Sequence, residues 1–179
     1  MKAIVNTVDL KNAINSIKIC VSKDAMRPVY NNIKLELRDK KVRVVSCDGF
    51  RLAYAEVSAE LTGKGEAIIP LFGIPKYAEE KTNITVSDKY TTIDFGIYKI
   101  TYKNNTGTYL DYEFLFNKRE KEYNIGFDAT LLKQVLGSFK NSKIELKFDA
   151  VDNKNAVVIS DIEDKSKKAV VLPYKLREE

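Results

Sequence analysis

The sequence contains no histidine and only two cysteines, and both features narrow the chemistry open to the chain. Without an imidazole there is no Ser-His or Cys-His pair for nucleophilic catalysis and no histidine metal ligand. Cys20 and Cys47 lack the spacing of a metal-binding motif, and their apolar surroundings favour reduced, buried thiols over a disulfide. We therefore expect no metal and no other cofactor.

Signals for nucleotide binding and membrane insertion are also missing. Gly63-Lys64-Gly65 is a turn without the flanking spacing of a nucleotide-binding fingerprint. No run approaches the roughly 20 apolar residues that span a bilayer, and the amino terminus lacks the apolar stretch of a signal peptide. These absences predict a soluble, cytoplasmic protein that is not an enzyme and has no membrane partner.

One acidic segment leaves an enzymatic alternative open. Asp149, Asp152, Asp161, Glu163 and Asp164 lie close together in the sequence. A hydrolase or transferase with a carboxylate metal site would need a divalent ion there. The same residues lie among lysines in predicted turns, which is the pattern of a solvated loop.

The composition is that of a folded protein with a mildly basic surface. Of the 179 residues, 44% are apolar, which is enough for a packed core. Thirty Lys and Arg against 25 Asp and Glu give a net charge of +5. This charge is compatible with a polyanionic partner but does not demand one.

The segment from Arg27 to Leu52 carries the clearest local pattern. Apolar and charged residues alternate at 33–37 and again at 42–45, which predicts two strands joined by the polar residues 38–41. Asp48-Gly49 then breaks the second strand, because both residues tolerate the backbone angles of a tight turn. The Phe50-Arg51-Leu52 that follows is either an exposed docking surface or an ordinary bend whose Phe50 and Leu52 belong to the core.

A strand, a helix and further strands follow one another about three times along the chain. The first repeat has a strand at 3–7, a helix capped by Asp9 or Thr7, and strands at 33–37 and 42–57. Apolar residues at helical spacing in this repeat are Val8, Leu10, Ala13, Ile14, Ile17 and Val21. The second repeat has a strand at 67–70, a short helix near Ile74 to Lys81, and strands at 84–86, 91–95 and 98–102. The third has a strand at 123–127, a helix from Asp128 to Phe139, and strands at 144–148, 156–159 and 169–172. This self-similarity is typical of a duplicated supersecondary unit.

Three motifs, in order along the chain, resemble bacterial DNA polymerase III β subunits, the sliding clamps. Arg27-Pro28-Val29-Tyr30-Asn31-Asn32 and Cys47-Asp48-Gly49-Phe50-Arg51-Leu52-Ala53 are similar to the family's RP-x-L-N strand and ATDGHRLA turn. Phe50 stands where histidine is usual and Tyr30 where leucine is usual. The run from Thr106 to Tyr112 resembles the family's G-x-F-P-D-Y link, with Leu110 in place of proline. The run from Val170 to Leu176 resembles its terminal VVMPMRL.

The resemblance implies an α+β DNA clamp fold, built of repeated strand-helix-strands half-domains with antiparallel sheets and few helices. Residues 1–118 are then a complete clamp-like domain and residues 119–179 the closing half of another, joined by the charged connector 117–122. A family ring has twelve half-domains, so three per chain would require four copies. Ring closure therefore implies a homo-oligomer.

In that family, basic helix faces line a channel and contact duplex DNA without reading its bases. The residues at matching places are Lys11, Lys18, Lys23, Arg27, Lys76, Lys81, Lys133 and Lys140. The alternative is that they are simply the solvated faces of amphipathic helices.

The family also has a hydrophobic groove that receives short peptides from polymerases, clamp-loader proteins and repair proteins. Its matching residues here are Tyr30, Cys47, Gly49, Phe50, Arg51 and Leu52 on one side, Val170, Leu172 and Pro173 opposite, and Leu115 or Phe116 at the base. The resemblance thus implies a DNA replication processivity or tethering factor that binds double-stranded DNA. The alternative function is a clamp paralogue that does not encircle DNA and serves as a protein-interaction module or decoy for clamp-binding peptides.

Overall fold

A computed structural model describes residues 1–116, 124–139, 142–148, 155–164 and 166–174. The chain divides into two units, Met1–Tyr112 and Glu113–Glu179. The connector predicted at 117–122, which contains the predicted boundary after residue 118, lies outside the described residues.

The first unit is built on an eight-stranded sheet in which every neighbouring pair is antiparallel. Its strands are β1 (Lys2–Asn6), β2 (Asn32–Arg38), β3 (Lys41–Cys47), β4 (Leu52–Thr62), β5 (Gly65–Pro70), β6 (Lys81–Val86), β7 (Tyr90–Asp94) and β8 (Lys99–Lys103). Their order across the sheet is β5-β2-β3-β4-β1-β6-β7-β8. The strands of the first two predicted repeats are confirmed, with ends shifted by a few residues.

Helix α1 (Thr7–Ile17) packs on β3 and β4. Leu10, Ile14 and Ile17 face the sheet and are buried, as their spacing predicts. The predicted cap is wrong: the side chain of Asn6, and not that of Thr7 or Asp9, accepts the N–H groups of the first turn. The assignment of Val8 to the apolar face is also wrong, because Val8 lies outside the face formed by Leu10, Ile14 and Ile17 and is 62% exposed.

The predicted hairpin between β2 and β3 is confirmed, with Arg38 paired to Lys41. Asp39 and Lys40 form its turn with φ values of 53° and 60°. Two consecutive positive φ angles define the turn type whose twist matches that of the flanking strands. The turn therefore fixes the register of the hairpin.

The predicted helix near Ile74 to Lys81 is wrong. Residues 71–80 contain no helix, and Lys81 is the first residue of β6. Pro75 has no N–H to donate and disfavours helical angles at Ile74, while Gly73 adds backbone freedom. The segment is instead irregular, and it is bonded to the end of β7 through the N–H of Glu79, which donates to the carbonyl of Phe95 at 3.0 Å.

Two hydrophobic clusters lie on opposite faces of β3. The larger one joins α1 to the sheet and includes Val42 and Val44. The smaller one contains Val45 and Cys47 and is covered by residues 109–112. Because side chains alternate along a strand, one strand supplies both clusters.

The second unit contains helix α2 (Ala129–Leu136) and a three-stranded antiparallel sheet. The strands are β9 (Ile144–Lys147), β10 (Val157–Asp161) and β11 (Lys168–Val171), in the order β11-β10-β9. A predicted strand at 123–127 does not appear among the described residues 124–127, where Gly126 makes a single bridge to Tyr174. Phe139, Val157, Ile159 and Val171 form the core.

Candidate docking turn and basic surface

Residues 48–51, the Phe50 turn, are held by a single carboxylate. Asp48 Oδ1 accepts the N–H groups of Phe50 at 2.9 Å and Arg51 at 2.7 Å. Its Oδ2 accepts Arg51 Nη2 at 2.6 Å and Nε at 2.9 Å. These bonds hold the pKa of Asp48 at about 2, and the backbone N–H of Phe50 contributes most to the shift. Charge-assisted hydrogen bonds from one carboxylate therefore fix the backbone N–H of Phe50 and that of the next residue, Arg51.

Phe50 projects from this turn with 94% of its surface exposed. The alternative in which Phe50 packs into the core is therefore wrong. Leu52 is half-buried and packs against the smaller cluster. An exposed aromatic side chain on a fixed backbone is the kind of group that serves as an anchor for a partner.

Gly49 lies in the middle of the Phe50 turn, under the side chain of Arg27. Its φ is +89°, and the guanidinium of Arg27 lies where a Cβ would be placed. Glycine is thus favoured by the backbone angle, whereas the Arg27 side chain could move away from a Cβ. Arg27 and Arg51 consequently place two cations beside Phe50.

The smaller cluster supports the turn from below. Tyr30 meets Tyr109 edge to face, with ring centroids 5.5 Å apart. Cys47 is only 3% exposed, and its Sγ accepts the N–H of Gly49 at 3.3 Å. Cys47 is therefore buried beneath the Phe50 turn, while Tyr30 and Leu52 are half-buried at the margin of the smaller cluster.

A network of buried charge, not anticipated from the sequence, fastens residues 109–112 to the sheet. The carboxylate of Glu36 lies 3.1 Å from Lys34 Nζ and 3.2 Å from Arg38 Nη2. Tyr112 also donates its hydroxyl to this carboxylate, and Arg43 contacts the same hydroxyl. The sequence did contain a signal for this network: Glu36 lies in the middle of a predicted strand, and basic residues, Lys34 and Arg38, lie two positions away on either side.

Lys11 and Lys18 lie on or directly after α1, seven positions apart, and both are exposed. Lys18 Nζ donates to Asn15 Oδ1 at 3.0 Å. Lys23 and Arg27 are exposed in the loop that follows. These four cations therefore belong to the first helix and its exit, where the sequence predicted them.

The other predicted cations differ in their surroundings. Lys76 and Lys81 do not lie on a helix: Lys76 Nζ lies over the ring of Tyr77, and Lys81 Nζ pairs with Glu60 at 3.4 Å. Lys133 is exposed on α2, and Lys140 lies outside the described residues. The helix assignment of Lys76 and Lys81 is thus corrected.

The remaining predicted groove residues belong to the second unit. Leu115, Phe116, Val170 and Leu172 are exposed, and Pro173 is half-buried. That they line one groove together with the Phe50 turn stays a prediction.

The acidic segment is organised by its own hydrogen bonds. Asp161 Oδ1 accepts the N–H groups of Glu163 and Asp164 at 2.9 and 3.0 Å. Its pKa is lowered, first by the Ser142 hydroxyl. Asp149 and Asp152 lie outside the described residues. Within the described part of the chain, no three His, Cys, Asp or Glu side chains are placed to hold a metal ion.

Within the described ranges, no helix combines the length and the apolar character that a membrane span requires.

The family model of the DNA polymerase III beta subunit, central domain, matches residues 4–111. The DNA polymerase sliding clamp from Bacillus subtilis superposes with a TM-score of 0.79 at 15% identity, covering 100% of this chain and 50% of that chain. The DNA polymerase III subunit beta from Pseudomonas aeruginosa gives 0.78 at 18% identity, with 97% and 51% covered. The DnaN sliding clamp from Bartonella birtlesii, solved bound to griselimycin, gives 0.78 at 17%, with 99% and 52% covered. No curated protein sequence matches the chain.

The chain spans about half the length of these clamps. The antiparallel sheets and the two α-helices of the described residues agree with the predicted clamp fold. Because the central-domain model covers more than half of the chain, the protein belongs to the DNA polymerase III β-subunit, or sliding-clamp, family.

Proposed function

We propose that the protein is a non-enzymatic, clamp-type tethering factor of DNA replication. It binds duplex DNA without reading the sequence, and it docks replication proteins through short hydrophobic peptides. The observation that carries the proposal is the exposed side chain of Phe50 on a hydrogen-bonded turn. This turn lies within the residues that match the family model. The expected partners are segments of polymerases and clamp-loader proteins.

The peptide surface consists of Phe50, the margin formed by Tyr30 and Leu52, and the cations Arg27 and Arg51. An apolar side chain buried against such a surface contributes about 1.5 to 3 kcal/mol. The turn is already fixed by Asp48, so little conformational entropy is lost when a peptide binds. These features favour a peptide with a Leu or Phe anchor.

The DNA surface is the exposed side of α1 with Lys11 and Lys18. Residues seven apart on a helix lie on one face, so both cations are placed to contact one phosphate backbone. Such contacts release counterions, weaken with salt and permit sliding. Closure of a ring would require self-association, for which four copies per ring is the proposed number.

Retention on DNA of different topology tests the clamp function. We expect the protein to be retained on closed circular duplex DNA and lost when the circle is cut. Replacing both Lys11 and Lys18 by Gln should lower the slope of log affinity against log salt by about two. The matched control replaces Lys89 and Lys103, exposed cations of the β6–β7 turn and β8, and should leave the slope unchanged.

A second candidate function is a protein-interaction module or decoy that does not encircle DNA. The missing helix at 71–80 favours it, because Lys76 and Lys81 then add nothing to a basic helix face. This module would bind a clamp-binding peptide while showing no affinity for DNA at low salt. Loss of DNA binding with intact peptide binding would therefore reject the clamp and retain the module.

A further inference from the structure

Strand β9 is an open edge of the second unit's sheet. It pairs with β10 through Ile159↔Leu146 and Val158↔Lys147. On its other side, no strand pairs with it within the described part of the chain. Its outward N–H and C=O groups are therefore available to a further strand.

The first unit shows how the corresponding strand is completed. β2 is the first strand after α1, and it is flanked by β3 and by β5. β9 is the first strand after α2, and only β10 pairs with it among the described residues. In the ranges that the structure describes, the second unit thus repeats part of the arrangement of the first, with no strand in the position that β5 takes beside β2.

The exposed edge of β9 is apolar on one face. Leu146 shares a face with Ile159, which is fully buried, yet Leu146 is 43% exposed. Phe148 follows on the same face and is 47% exposed. Glu145 and Lys147 alternate with them on the other face, 3.4 Å apart. A strand added here would cover Leu146 and Phe148.

The sequence of β9 is complementary to itself. In an antiparallel pair centred on Leu146, Glu145 of each copy lies opposite Lys147 of the other. Ile144 likewise lies opposite Phe148 of the other copy. The twofold axis repeats each contact, so two opposite-charge pairs and two apolar pairs form together.

The two end strands of the first unit's sheet, β8 and β5, oppose such pairing. β8 paired with itself about Thr101 would place Lys99 opposite Lys103 of the second copy, twice. Like charges directly opposite are destabilising, and lysines protect an edge strand from association. At β5, Pro70 lacks an N–H and the carbonyl of Ile68 already accepts Asn105 N–H at 2.8 Å. Charge complementarity therefore distinguishes β9 from the two end strands of the first unit.

We propose that β9 is a self-association surface, through which two copies of the chain join their second units into one six-stranded antiparallel sheet. The contact is isologous, with its axis at Leu146. It goes beyond DNA and peptide binding and depends on neither.

Sedimentation of the full-length chain over a range of concentrations tests the proposal. We expect a reversible monomer–dimer equilibrium for the natural sequence. Glu145→Lys places like charges opposite each other twice and should raise the dimer Kd about tenfold or more. Glu80→Lys makes the same change in charge on the first unit and should leave the Kd unaltered.

Exchange of the two charges provides the decisive variant. Glu145→Lys combined with Lys147→Glu restores opposite charges across the axis and should restore the dimer. Hydrogen exchange at β9 amides should slow as the dimer forms, and circular dichroism checks the fold of each variant. A natural chain that stays monomeric throughout, a Glu145→Lys dimer of undiminished affinity, or a double exchange that fails to recover would each overturn the proposal.

Discussion

Tyr112 donates its hydroxyl to Glu36 Oε2 at 2.8 Å, across 76 positions of the sequence. The hydroxyl also accepts Arg43 Nη1 at 3.2 Å. Glu36 is buried, and Lys34 and Arg38 balance its charge. The last residue of the first unit is thus bonded to the middle of its sheet.

Replacement of Tyr112 by Phe should destabilise the protein by about 1–3 kcal/mol, because a buried charged acceptor loses a donor. Urea unfolding measures this loss. Tyr109→Phe is the matched control: its hydroxyl reaches the neutral carbonyl of Asn32 at 3.3 Å, so the loss should be about 0.5–1.5 kcal/mol. Equal losses in the two variants would contradict a special role for Glu36.

Stability should fall at alkaline pH because of Tyr112. Burial, opposed by Arg43 and reinforced by Glu36, raises its pKa from 10.0 to about 12. A raised pKa means that the neutral phenol is favoured in the folded state, so its contribution is complete below pH 10 and is lost as pH rises through 12. Unfolding free energies across this window should decline less for Tyr112→Phe. A decline as steep as in the natural chain would assign the effect to other groups, such as Tyr109, whose pKa is also raised by burial.

Gly49→Ala should lower the melting temperature. An alanine at φ +89° costs about 1–2 kcal/mol, whereas the contact with Arg27 is relieved by movement of that flexible side chain. Gly73→Ala is the control, since its φ is not positive and a Cβ would meet nothing within 4 Å. Alanine there should stabilise by about 0.4–1 kcal/mol through the unfolded state. The same sign for both variants would refute this account.

Asn6→Ala should destabilise the protein by about 0.5–2 kcal/mol, because Asn6 Oδ1 accepts the N–H groups of Val8 and Asp9. Thermal unfolding measures the effect. Asp9→Asn removes only a first-turn charge and should cost no more than about 1 kcal/mol. If Asp9 proved the more sensitive position, the cap would be misassigned.

Phe50→Ala should leave stability unchanged, because the side chain is exposed, and weaken a clamp-binding peptide more than about tenfold, or 1.4 kcal/mol. Fluorescence anisotropy with a labelled peptide measures the affinity. Ile97→Ala removes another exposed apolar side chain of the first unit and should not affect it. Unchanged affinity in a folded Phe50→Ala variant would count against the docking turn.

Local patterns predicted most of the strands and the Phe50 turn. The alternation in β2 and β3 and the Asp48-Gly49 break act over a few residues, so they can be read directly from the sequence. The prediction of a helix at 74–81 was wrong because Pro75 and Gly73 disfavour a helix more than the apolar spacing around them favours one. The predicted cap of α1 was wrong by one residue, which is the usual uncertainty of helix ends.

Long-range contacts could not be predicted in the same way. The bond between Tyr112 and Glu36 joins the segment 109–112 to the sheet, and no local period relates the two residues. Whether Phe50 is exposed likewise depends on what covers the turn: residues 109–112 cover Cys47 but leave Phe50 exposed. The resemblance of the motifs supplied the candidate residues, whereas the exposure of each side chain could be determined only from the fold.

β3 supplies both hydrophobic clusters, so nearly every residue from Val42 to Cys47 is buried, and Arg43 is half-buried in ion pairs. A substitution at any of these six positions should therefore affect packing or an ion pair. Evolutionary drift among homologues should therefore be slowest along β3. It should be fastest along β8, where alternate residues are exposed.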